Sequence, residues 1–243
     1  MKNYIFHVHT YRCRHCSNES DESFIESAIQ LGASYIAFSD HAPFPDNPFN
    51  NRMDITELPE YIETLSFLRE KYAKHISVQI GLEIEYIRSF NDYYQKLSET
   101  EGLDFLLLGQ HFYHSANNQY SFSDLTEFRI KNEAHGIINA MIEGIQTGFF
   151  RTIAHPDRAF RYCKEWGSEE GTLARRLIAT AVKCGVMLEQ NQASKEKGLY
   201  KSEFWNLFKS MYASSTFNEY IIQGLDAHSV SDMERRYISI TGD

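Results

Sequence analysis

Short runs of apolar and β-branched residues recur along the chain at 4–8, 35–39, 76–84, 105–108, 152–154, 186–188 and 220–222. Bounded by polar and turn residues, they predict seven strands. Between them, 21–31, 56–73, 91–99, 124–146, 170–183 and 202–213 have helical spacing. Strand followed by helix, repeated, predicts a parallel β/α architecture. Ser20 with Asp21 and Ser23, Thr56 with Pro59, and Ser168 with Gly171 mark helix starts, while Gly32 and Gly185 mark stops where the backbone turns left-handed. The irregular stretch 42–54 holds three of the five prolines and follows a strand, so it reads as a loop over a site. No domain boundary is visible. Residues 1–243 read as one α/β domain, and a (β/α) barrel of about 250 residues would use nearly all of it.

Composition narrows the class. With 42% apolar residues the chain is globular, and its formal charge of −9 weighs against a nucleic-acid surface. The start, MKNYIFHVHT, lacks a signal-peptide pattern and no run approaches the ~18 apolar residues of a membrane span, so the expected location is the cytoplasm, with no membrane partner. The four cysteines, at 13, 16, 163 and 184, fit neither a disulfide framework nor a closed zinc knuckle.

Ten histidines are about twice the usual share, and their positions matter more than their number. His7 and His9 alternate within the first strand run, which puts them on one face. Asp40 and His41 end the second run, Glu83 and Glu85 the third. His111 follows the fourth, His155 the fifth, and Asp226 and His228 the seventh. In a parallel barrel these strand ends converge on one mouth. Imidazole with carboxylate suits zinc, iron or manganese. His75 precedes a strand and His135 sits inside a helix, so both read as ordinary residues. His114, Tyr113, Phe112, Phe44 and Phe49 read either as a cover for substrate or as a packed rim.

The ordered segments HVHTYRCRH at 7–15, SDHAPF at 39–44, GLEIE at 81–85, GQH at 109–111, AHP at 154–156 and LDAH at 225–228 together resemble the PHP (polymerase and histidinol phosphatase) family, specifically its histidinol-phosphate phosphatase branch. The resemblance implies a distorted (β/α)7 TIM-like barrel with three divalent metal ions (Zn, Fe or Mn) at the C-terminal ends of the strands. Carried over by position, it implies His7, His9, Glu83 and Asp226 for one ion; Glu83 as a bridge with His111 and His155 for a second; and His15, His41 and His228 for a third.

What the resemblance implies about activity is phosphomonoester hydrolysis, with L-histidinol phosphate, a precursor in histidine biosynthesis, as the small phosphorylated substrate. Two ions bridged by a carboxylate can share a hydroxide and aim it at phosphorus, while a third binds a phosphoryl oxygen. Glu83, Asp226 and His228 are the residues assigned to catalysis. Arg158 and Arg161, just past the His155 strand end, and Lys195 and Lys197, after the sixth strand, are candidates for phosphate contacts. The chain departs from the branch at Arg14 and Cys16, where the related pattern is C-P-H-G, and at LEQNQAS, 188–194. Those departures keep open another small phosphoester or a nucleotide as substrate. A non-catalytic metal-binding module is the remaining alternative; lost ligands would be its signature.

Overall fold

The computed structural model describes residues 3–45, 49, 51–114, 120–121 and 127–242. Along the chain run β1 (Tyr4–Val8), α1 (Asp21–Gln30), β2 (Tyr35–His41), α2 (Leu58–Tyr72), β3 (Ser77–Ile84), α3 (Asn91–Ser98), β4 (Phe105–Leu108), a two-stranded antiparallel ribbon of β5 (Tyr113–His114) and β6 (Tyr120–Ser121), α4 (Glu127–Thr147), β7 (Phe150–Ile153), α5 (Ser168–Cys184), β8 (Met187–Asn191), α6 (Gln192–Glu196), α7 (Ser202–Met211), α8 (Ser214–Glu219), β9 (Ile221–Gly224) and α9 (Val230–Thr241). The main sheet has seven strands in the order β1-β2-β3-β4-β7-β8-β9. The β1/β2, β2/β3 and β7/β8 pairs are parallel. The segment after β9 returns to β1: Leu225 N–H donates to Phe6 O at 2.8 Å, Ala227 N–H to His7 O at 3.1 Å, and His9 N–H to Ala227 O at 2.9 Å. With sequence-adjacent strands joined by helical crossovers and the last segment paired to the first strand, the fold is a distorted (β/α)7 barrel.

The chain divides into two compact units, one of Met1–Glu83, Lys96–Leu106 and Gln223–Asp243, the other of Ile84–Gln95 and Leu107–Ile222. In the first, β1 to β3 read as near-continuous apolar runs because both their faces are covered: Ile5, Phe6 and Val8, then Ile36, Ala37 and Phe38, then Val78, Ile80 and Leu82 are all buried. Phe24, Ile25 and Ala28 of α1 and Met233 and Tyr237 of α9 give the two adjacent helices their buried sides. In the second unit α4 packs on α5 and α5 on α7, through Ile137, Ile138 and Met141, then Leu173, Leu177 and Ile178, then Phe204, Trp205 and Phe208.

All seven expected strands and all six expected helices are present, with ends displaced by a few residues; positions 124–126, the expected start of the fourth helix, lie outside the described residues. Ser20 caps α1 by accepting from Ser23 N–H, and Gly32 and Gly185 have φ of 75° and 71° after their helices. Thr56 is not the cap expected of it: Asp54 begins the turn, its N–H donating to Glu57 at 2.7 Å, and Pro59 lies in the first turn of α2. Gly167 precedes α5, with Glu170 accepting its N–H at 3.0 Å, so Ser168 is the first helical residue. The pattern missed β5 and β6, the short α6 and α8, and α9. No helix among the described residues is long and apolar enough to cross a membrane.

Candidate metal centre

His7 is the extra residue of a β-bulge: Phe6 pairs with Ala37 and Val8 with Phe38, leaving His7 unmatched at φ 68°. Strict alternation is therefore not what brings His7 and His9 together. The left-handed step at His7 re-aims its ring, and the two Nε2 atoms stand 3.0 Å apart. Glu83, near the end of β3, puts Oε2 3.4 Å from His7 Nε2 and 3.5 Å from His9 Nε2. Asp226, itself at φ 52°, puts Oδ1 3.9 Å and 3.4 Å from the same two nitrogens. His41 Nδ1 lies 3.2 Å from Glu83 Oε2. The His15 and His228 Nε2 atoms face each other at 2.8 Å. The first unit thus gathers His7, His9, His15, His41, Glu83, Asp226 and His228 into one cluster.

An oxygen faces the far side of three of these rings, His9, His15 and His228. His9 Nδ1 is 3.5 Å from Asp40 Oδ1; Asp40 also accepts the His41 N–H at 2.8 Å and the Thr10 hydroxyl. His15 Nδ1 donates to the Cys13 carbonyl at 2.9 Å, and His228 Nδ1 to the Asp226 carbonyl at 3.0 Å. Such contacts fix the tautomer and turn Nε2 toward the cluster.

In the second unit the same device recurs. His111 Nδ1 donates to Glu85 at 2.8 Å, and the His111 and His155 ring centres lie 5.0 Å apart. His155 has φ 32°, and its N–H donates to Glu189 at 2.9 Å. Asn191 donates to the same Glu189 oxygen at 3.0 Å and caps α6 by accepting from Ser194 N–H at 2.7 Å.

Electrostatics follow from crowding. Burial pushes His9 down, but the carboxylates of Asp226 and Asp40, accepting from its ring N–H groups, outweigh it and raise the group to about 10. Burial also opposes the charged form of Asp226, yet the charges of His7 and His9 hold it well below the ordinary carboxylate range. His228 is drawn down to about 3 by burial and then by the positive His9. Imidazole nitrogens facing each other across 2.8 to 3.0 Å with carboxylates alongside can be reconciled only by protons or a cation. The donor set therefore fits divalent ions with mixed N and O ligation. Three of the candidate ligands, His7, His155 and Asp226, have left-handed backbones, a conformation rare for residues with a side chain.

The candidate phosphate contacts differ among themselves. Arg158 is half-buried on the turn Pro156–Phe160, directly after His155. Arg161 is buried and donates to Glu133 at 2.6 Å. Lys195 and Lys197 are exposed, with Lys195 Nζ 5.2 Å from the Tyr200 ring centre. Phe44 and Phe49 are buried edge to face at 5.1 Å beside the Arg52 guanidinium, which makes them packing. Phe112 is buried as well, and the His114 side chain lies outside the described residues. Sequence reasoning missed Thr10, Glu189 and Asn191. Glu189 and Asn191 had a usable signal, since they alternate at a strand end as Glu83 and Glu85 do.

A PHP domain model matches residues 6–193, a range that includes every candidate ligand except Asp226 and His228. The chain belongs to the PHP domain family. Over 157 residues this PHP domain is 31% identical to a histidinol-phosphatase of Bacillus subtilis, covering 60% of the chain and 58% of the relative. The match thus spans less than two thirds of that relative's length. Among solved structures, the Lactococcus lactis histidinol phosphate phosphatase complexed with Zn, L-histidinol and phosphate aligns at a TM-score of 0.73 and 18% identity, over 99% of this chain and 93% of that one. A Listeria monocytogenes protein assigned as a histidinol phosphatase aligns at 0.76 and 19%, over 97% and 99%. These two share the fold of this PHP domain.

Proposed function

We propose that the chain is a metal-dependent phosphomonoesterase that hydrolyses L-histidinol phosphate to L-histidinol and phosphate. The observation that carries the reading is the convergence of imidazole nitrogens and carboxylates, with the His15, His111 and His228 rings hydrogen-bonded from behind. His7, His9, Glu83 and Asp226 would hold one ion; Glu83, His111 and His155 a second; His15, His41 and His228 a third, the ions being zinc, iron or manganese. When bound, the ions supply an activated water and neutralise the phosphoryl charge. The chain's own part is to fix their positions: Glu83 serves two ions, Asp226 faces His7 and His9, and His228 joins the site from the loop after β9. Arg158, on the turn directly after His155, would meet a phosphoryl oxygen, while Arg161 is engaged with Glu133. The similarity to the Bacillus relative, and the L-histidinol and phosphate held by the Lactococcus protein, support this substrate. A cytoplasmic location, a role in histidine biosynthesis and the treatment of 1–243 as one catalytic domain belong to the same proposal.

Protein loaded with Zn, Fe or Mn is expected to release phosphate from L-histidinol phosphate. Metal retention without release would refute the substrate. The departures at Arg14, Cys16 and 188–194 favour a second reading, another small phosphoester or a nucleotide, and a panel ranked by kcat/KM separates the two. In either case Asp226→Ala is expected to abolish turnover while far-UV circular dichroism is retained; unchanged turnover would refute the site.

A further inference from the structure

The turn that carries His15 also carries two thiols. Cys13 closes the short helical turn Tyr11–Cys13, and Arg14 follows it at φ 68°. That left-handed step folds His15 back over Cys13, while the Arg14 guanidinium is drawn outward to Glu57 and Asp54. Cys13 is fully buried. Its sulfur lies within 4.8 Å of ligand atoms of His15 and His228, and, in a second grouping, of His9 and Asp40. The Cys16 thiol stands where the related pattern has glycine, and neither cysteine is in a disulfide. A buried free cysteine commonly packs as a small apolar group. This one is surrounded by imidazoles and a carboxylate.

We propose that the Cys13 thiolate is a ligand, with His15 and His228, of one divalent ion. The inference rests on the metal-centre reading above and adds a soft donor to a set otherwise made of nitrogen and oxygen. Binding releases the thiol proton to solvent and forms one metal–sulfur bond, without redox change. A sulfur donor shifts preference toward zinc and away from manganese.

Cobalt(II) reports sulfur ligation through a charge-transfer band in the near ultraviolet, separate from the visible bands that any cobalt site gives. The whole chain, stripped with chelator and reloaded with cobalt, is expected to show that band. Cys13→Ser is expected to lose it while keeping visible cobalt bands and far-UV circular dichroism, and Cys16→Ala to keep it. Cobalt retained with visible bands alone, or a charge-transfer band that survives Cys13→Ser, would overturn the proposal and leave the metal centre standing. If the unsubstituted chain retains no cobalt, the metal-centre reading itself falls, and this one with it. Should Cys13→Ser not fold, zinc-edge X-ray absorption on the unsubstituted protein decides: a sulfur neighbour at about 2.3 Å supports the assignment and its absence overturns it.

Discussion

At His9, His15, His111 and His228, what fixes the ring is an oxygen facing Nδ1, from Asp40, the Cys13 carbonyl, Glu85 and the Asp226 carbonyl. Two of those partners are side chains and can be changed without touching a proposed ligand. Asp40→Asn and Glu85→Gln are each expected to weaken metal binding by about 10–100-fold with the fold retained, as read by competition with a chromophoric chelator; unchanged affinity would refute this positioning role. The charges give a second expectation for the metal-free protein. His9, raised from 6.5 to about 10, contributes stability that is complete below about 6.5 and is lost as pH rises toward 10. His228, lowered from 6.5 to about 3, stays neutral where the unfolded chain takes up a proton, so stability falls as pH drops from 6.5 toward 3. Urea midpoints measured in chelator are thus expected to peak near pH 6.5. A steady rise through pH 9 would contradict the His9 environment.

The same residues show how far sequence carries. His7, His9, His41, Glu83, Asp226 and His228 stand out because strand ends can be read from hydrophobic runs. What period-two counting could not supply is the bulge at His7, which depends on register with β2. Nor could it reveal that Arg161 would be taken by Glu133, since that pair joins positions 28 apart.

Among elements, β3 bears a tight constraint close to the candidate site. Gly81 stands two residues before Glu83, and a methyl group there would meet the Phe105 ring at 2.4 Å. Gly81→Ala is expected to cost about 1–3 kcal/mol, lowering Tm by about 2–4 °C per kcal/mol in a domain of this size. An unchanged Tm in calorimetry would mean that Phe105 moves aside freely. Helix α9 went unread for a physical reason: its buried positions, Met233, Arg236 and Tyr237, form a narrow stripe that includes an arginine, and a hydrophobic scan does not count a guanidinium. Arg236 nonetheless donates to the Leu225 and Asp226 carbonyls at 3.1 and 2.6 Å, so α9 anchors the loop that holds Asp226. Ser229, which accepts from Asp232 N–H at 3.0 Å, was the one local mark of its start.

For the whole molecule, the proposed ions would join residues from the first strand to the loop after the last. Ligand binding only to the folded state raises its stability by mass action, about 2.7 kcal/mol for one site at a hundredfold excess over Kd. Zinc added to chelator-treated protein is therefore expected to raise Tm by about 5–10 °C, and a Tm indifferent to zinc would speak against sites in the folded protein. The acidity also changes meaning, because three divalent ions would offset six of the nine net negative charges.

The return of Leu225 and Ala227 to β1 sets an order in time. During synthesis His7 and His9 leave the ribosome more than 200 residues before Asp226 does, an interval of about 10–45 s at ordinary elongation rates. Throughout it, β1 lacks the partner on its outer edge, and the first proposed ligand set lacks its last member. A nascent chain can gather histidines early, but with the proposed ligands it would close the site around an ion only once Asp226 has emerged.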